Sequence, residues 1–246
     1  MLIITADDYG KTRCATDNIL KCVSSKRITS AGAMVFMEDS ERAASLAFST
    51  SLEVGLHLNF TLPFSAYNIT ANLHEHQNRI VSFLAKHKLS QVIYNPFLTD
   101  SFNFVFLSQK EEFMRLYGRF PDFYSGHHHM HLCANALVSK MLPSGARVRR
   151  TFTFDRGEKN PFNRLYRIVL DIYVSKRFIS TDCFFSIAPV HNYERLKNIV
   201  NRAFKENIEI EVHLENAEEI EFLLSDQYGR LLNSVRSGCF RHLDII

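Results

Sequence analysis

The stretch LIITADDYGKTRCATDNILKCVSSK, residues 2–26, contains one complete strand–turn–helix unit. Residues 2–5 read as a short buried strand, and Asp7, Asp8 and Gly10 follow it with turn chemistry. Residues 16–26 place Ile19, Leu20, Cys22 and Val23 on one side of a helix. The same rhythm continues along the chain. Strand signals recur at 30–36, 54–60, 123–132, 147–154, 183–187 and 208–214. Helical signals recur at 39–48, 73–87, 109–117, 163–176, 194–206 and 217–226, which makes close to seven βα units. Such alternation predicts the α/β class, with a largely parallel sheet and helical crossovers. The length fits a closed or nearly closed, TIM-like (β/α) barrel better than a small open sheet, and a doubly wound sheet is the alternative. In either architecture the chemistry belongs at the carboxyl ends of the strands.

No repeat, low-complexity tract or linker interrupts the 246 residues, so residues 1–246 are expected to form a single domain. With 46% hydrophobic residues the chain can bury a large core. Lys and Arg number 29 against 26 Asp and Glu, leaving a net charge of +3 that is dispersed and too small to indicate nucleic acid. No apolar run approaches the ~20 residues of a membrane span. The start, MLIITADDYG, lacks a basic region before its short apolar run, so a cytoplasmic protein is expected. Five cysteines without a CxxC pair read as free, mostly buried thiols.

Histidine is the unusual component, with 11 in the chain. His127, His128, His129 and His131 fall within five residues. If that segment is extended, His127, His129 and His131 share a face at ~7 Å intervals, from a rise of ~3.3 Å per residue. One straight strand cannot easily direct all three to one ion, so one or two ligands are expected, with His127 and His129 both eligible. His57 lies in the strand signal Gly55-Leu56-His57-Leu58-Asn59-Phe60 and shares a face with Asn59. His213 closes the strand signal that starts at Ile208. Asp7 and Asp8 would point to opposite faces of a regular strand, and can share a site only where the strand ends. Arg149 and Arg150 end a strand near 147–150 and Asp182 precedes Cys183-Phe184-Phe185, whereas His74, His76 and His87 lie on a polar helix face. The segment 155–177 carries Arg156, Lys159, Arg164, Arg167, Lys176 and Arg177 among aromatics. It reads as a solvated helix face, with docking of an anionic carrier as the alternative.

One carboxylate with two imidazoles makes an N₂O set that leaves positions open on a divalent ion for water and substrate. A second carboxylate beside it can take a proton from that water, and a separate His can protonate a leaving amine. Together these are the parts needed to hydrolyse an amide.

In their order, Thr5-Ala6-Asp7-Asp8-Tyr9-Gly10, Gly55-Leu56-His57-Leu58 and His127-His128-His129-Met130-His131 resemble the YdjC-like (ChbG-type) carbohydrate deacetylases. Thr181-Asp182-Cys183-Phe184-Phe185 and the strand ending at His213 resemble that family's C-terminal half more loosely. The resemblance implies a distorted (β/α) barrel and a metal-dependent N-deacetylase acting on an N-acetylated sugar. It implies Asp8, His57 and His127 as ligands of one divalent metal ion, Zn²⁺ or Mg²⁺-like. Asp7 would be the general base, and His213 the general acid or oxyanion stabiliser. Arg149 would hold Asp7 or the substrate, with His129 and Asp182 as further substrate contacts. A homodimer is compatible with the resemblance. Two positions depart from the family pattern: Ser125 stands where an Asp is usual, and Leu214 where a Pro often follows the late His. Another metal hydrolase and a sugar-binding protein without turnover are the competing readings. The first is disfavoured because such hydrolases tend to open with His-x-His, and the second because Asp7, Asp8, His57 and His127 are all present.

Overall fold

Apolar runs as short as four residues become strands here because both of their faces are covered. In the computed structural model, which describes residues 1–87, 89–154 and 161–243, all eight residues of β1 (Leu2–Tyr9) are buried. The order continues with α1 (Arg13–Ser24), β2 (Ser30–Ala33), α2 (Ser40–Ala47), β3 (Glu53–Leu58), α3 (Ala71–Lys86), α4 (Thr99–Tyr117) and β4 (Tyr124–Gly126). It closes with α5 (Ala134–Val138), α6 (Pro161–Arg177), β5 (Cys183–Ser186), α7 (Tyr193–Arg202), β6 (Ile208–Val212), α8 (Ala217–Leu224) and α9 (Asp226–Leu232). The sheet order is β4-β3-β2-β1-β6-β5, and the β1–β6, β3–β4 and β5–β6 pairings are parallel. The α/β class with a largely parallel sheet is therefore as the alternation predicts.

The described chain divides into two compact units. The first comprises Met1–Asp7, Asp17–Ala31 and Ser144–Ile246. Its register sets Ile4 beside Ile210 and Phe185 beside Ile210, so three strands share one apolar face. The other face of β6 carries Glu209 and Glu211, both buried. The second unit comprises Asp8–Thr16 and Gly32–Pro143. There the Phe60 ring packs on Phe102 at 5.1 Å, and Gln77 of α3 and Gln109 of α4 grip the chain just beyond β3. Gln109 accepts from the Asn59 N–H at 2.8 Å and donates to its carbonyl at 3.1 Å, while Gln77 donates to the Leu62 carbonyl at 2.6 Å. These bonds satisfy a buried turn and fix where β3 ends, one residue past His57.

Three expected elements differ. The extended segment 123–132 is a strand only at β4. After it the chain turns, with His128 (φ 51°) and His129 (φ 60°) in the left-handed region. The strand expected at 147–154 forms no ladder. Arg147 makes a single bridge to Ile179, and the side chains of Arg149 and Arg150 are drawn to carboxylates. α4 starts ten residues before the expected 109, because Phe102, Val105, Phe106, Gln109 and Phe113 continue one buried helical face.

Gly55 sits in β3 against Phe123, where an added Cβ would lie 2.5 Å from the Phe123 ring and carbonyl. Gly55→Ala is expected to cost about 1–3 kcal/mol by overpacking. Denaturant unfolding measures this, and an unchanged midpoint would contradict it.

Candidate metal and catalytic centre

In the second unit, β1, β3 and the turn after β4 deliver Asp8, His57 and His127. Asp8 lies in the left-handed region at φ 67°, so the period-two alternation of β1 breaks at this residue. Holding a non-glycine residue there costs about 1–3 kcal/mol, which the surrounding contacts must offset. Asp8 Oδ1 is 3.1 Å from His127 Nδ1 and 3.4 Å from His57 Nε2. Lys11 Nζ donates to Asp8 Oδ2 at 3.1 Å. All three proposed ligands are buried. Burial opposes the charge on Asp8, but the hydrogen bond with His127 and the nearby His57, His127 and Lys11 outweigh it. The carboxyl is held well below the usual range. One ligand atom from each residue lies within 4.8 Å of the others, and a carboxylate with two imidazoles suits a divalent ion such as zinc.

The left-handed turn also separates the histidines. His127 turns to Asp8 and stacks on His128 at 4.1 Å, while His128 is exposed and His129 half-buried. The single face shared by His127, His129 and His131 required a straight strand, and it is absent. Among the described residues, the group around Asp8 takes in His127 and not His129.

Arg149 organises the first unit and is fully buried. It donates to both carboxylate oxygens of Asp7 at 2.6 and 2.8 Å, to Glu209 at 2.8 Å and to Glu211 at 3.3 Å. Burial disfavours the guanidinium charge, but Asp7, Glu209 and Glu211 together hold Arg149 protonated. Burial pushes the Glu209 carboxyl up. Burial also raises Glu211, to which the nearby Asp7, Glu209 and Glu219 add. His213 Nε2 is 3.9 Å from Asp7 Oδ2, with its side chain 42% exposed. Its backbone N–H donates to Glu219 at 2.7 Å, which anchors the turn leading into α8. Asp7, Glu211 and His213 also have ligand atoms within 4.8 Å of one another. Arg149 already supplies the cation to the two carboxylates, so this group suits proton handling better than a metal.

The placement of Arg149 favours the first of its two expected roles: it holds Asp7. Asp182 is not brought to Asp7. It precedes β5, is exposed, and accepts from the Asn207 N–H at 2.7 Å, so the parallel register sets it at the amino end of the strands. The family departures have local partners. Ser125 Oγ is 2.8 Å from His57 Nδ1, and Leu214 is buried with its carbonyl accepting from Asn18 at 2.9 Å. Arg156 and Lys159 lie outside the described residues. Arg167 lies over the Phe154 ring at 4.7 Å and donates to Asn163. Glu209, Glu211 and Lys11 were missed from sequence. The alternation Ile208-Glu209-Ile210-Glu211-Val212 looks half-solvated until a buried arginine is placed opposite it.

Glu211→Gln is expected to change how stability depends on pH. The folded protein holds the Glu211 proton to higher pH than the unfolded chain, which releases it around its ordinary value of 4.5. That contribution is complete below 4.5 and is lost as pH rises through the raised value. The variant should therefore gain stability relative to wild type between pH 5 and about 8. An equal difference in unfolding free energy at both pH values would contradict this.

A family model described as YdjC-like protein matches residues 1–234. The chitooligosaccharide deacetylase of Proteus mirabilis (strain HI4320) is 30% identical over 136 residues, 54% of this chain and 50% of that protein. The match thus spans about half the length of that curated relative. A solved structure from Enterococcus faecalis V583, described provisionally as a cellobiose-phosphate cleavage protein, superposes with a TM-score of 0.69 at 19% identity, covering 99% of this chain and 98% of that one. A structure described as T48 deacetylase with substrate gives a TM-score of 0.51 at 9% identity, covering 98% of this chain and 88% of that one. At these identities both structures speak to the fold alone.

Proposed function

This chain belongs to the YdjC-like protein family, and from that membership we propose that it is a metal-dependent carbohydrate deacetylase that hydrolyses the acetamide of an N-acetylated sugar and releases acetate. The observation that carries the reading is the buried Asp8, His57 and His127 group, with Asp7 as the next residue in the chain. A divalent ion held by these three residues would polarise the acetamide carbonyl and lower the pKa of a water. Asp7 accepts the proton of the attacking water, and Arg149 fixes the carboxylate for that task. His213, partly exposed and close to Asp7, donates a proton to the leaving amine. His129 contacts the sugar. Two imidazole donors favour zinc, with Mg²⁺-like ions as the alternative.

The substrate class follows the Proteus relative's name: an N-acetylated chito-oligosaccharide, with nucleotide-linked and lipid-linked acetylamino sugars as further arms of the test. A cytoplasmic location and a homodimer belong to the same reading. Among the described residues no helix is long and apolar enough to cross a membrane.

The test is acetate release from N,N′-diacetylchitobiose and from nucleotide-linked and lipid-linked N-acetyl sugars, before and after metal stripping. Release should vanish on stripping and return with Zn²⁺ or Mg²⁺. Release that survives stripping would overturn the metal dependence, and no release from any acetylated sugar would overturn the reaction.

A further inference from the structure

We propose that Ser125 is the positioning residue of the cation site, acting through His57. This rests on the reading that Asp8, His57 and His127 hold a divalent ion. Ser125 and His57 are register partners on the parallel strands β4 and β3. Both side chains are buried, and Ser125 Oγ is 2.8 Å from His57 Nδ1. The third side of the pair is closed by Gly32 of β2, where a Cβ would lie 3.0 Å from His57 Nδ1 and 3.1 Å from Ser125 Oγ. The imidazole is thereby held with Nε2 3.4 Å from Asp8 Oδ1.

An imidazole that binds a metal through Nε2 must carry its proton on Nδ1, and the Ser125 oxygen is placed to accept that proton. A carboxylate at this position could only accept, so it would enforce that tautomer and add negative charge to the ligand. A hydroxyl can also donate, so it tolerates both tautomers and adds no charge. Ser125 therefore fixes the direction of the ring while leaving His57 a weaker ligand than a carboxylate partner would.

The test is the zinc affinity of the full chain, measured by competition with a chromogenic chelator, for wild type, Asp8→Ala, Ser125→Ala and Ser125→Thr. Ser125→Ala should bind zinc about 10-fold or more weakly, and Ser125→Thr, which keeps the hydroxyl, within roughly 3-fold of wild type. Thermal unfolding checks that each variant is folded. Unchanged affinity in Ser125→Ala, with loss in Asp8→Ala, would overturn the role of Ser125 alone. Unchanged affinity in Asp8→Ala would overturn the metal-site reading beneath it. Nitrogen NMR of zinc-loaded wild type needs no variant. A proton on His57 Nδ1 with zinc on Nε2 supports the proposal, and zinc on Nδ1 overturns it.

Discussion

Replacing Asp7 with Asn is expected to lower acetate release by about 10²–10⁴-fold, the range for loss of a general base. The side chain keeps its shape but can no longer accept a proton. Asp7 is 2% exposed and gripped at both oxygens by Arg149, so it is already oriented before substrate arrives. The loss should fall on kcat, with KM little changed and the bound zinc retained. Added metal should not restore activity. If zinc is lost along with activity, Asp7 is a ligand rather than a base. If kcat is preserved, Asp7 is not the proton acceptor.

Arg149→Leu is expected to have the largest effect on stability, about 3–5 kcal/mol, as when one partner is removed from a buried ionic group. Three buried acidic side chains, Asp7, Glu209 and Glu211, would lose the guanidinium they share. The loss should shrink as the pH falls, because protonated acids no longer need the guanidinium. Denaturant unfolding at neutral and acid pH measures both parts. A loss below about 1 kcal/mol would place Arg149 among weakly contributing ion pairs. A loss independent of pH would trace the effect to packing volume alone.

Residue pattern carried far in this chain because β1, β3 and β6 are short, fully buried runs between amphipathic helices. An aspartate after the first strand, His57 and a histidine from residues 127–131 were legible as a set from residue type and order. The choice between His127 and His129 was not legible, since it turns on two histidines taking left-handed backbone angles that no periodicity encodes. The break at Asp8 is hidden in the same way. Glu209 and Glu211 imitate a strand with one wet face, and only Arg149, about 60 residues earlier in the chain, makes their burial tolerable. Asp182 looked suitable because it adjoins a strand, yet it precedes that strand instead of following it, which puts it at the other end of the parallel sheet. Ser125 stood out only as a substitution, and its partner became visible once β3 and β4 were in register.

The most direct test of the central claim is an anomalous difference map at the zinc edge from a crystal of the full chain grown with zinc. The expected result is one strong peak bound by Asp8, His57 Nε2 and His127, with His129 away from it. A map with no peak at these residues, or with its strongest peak on other side chains, would contradict the metal site and the reaction built on it.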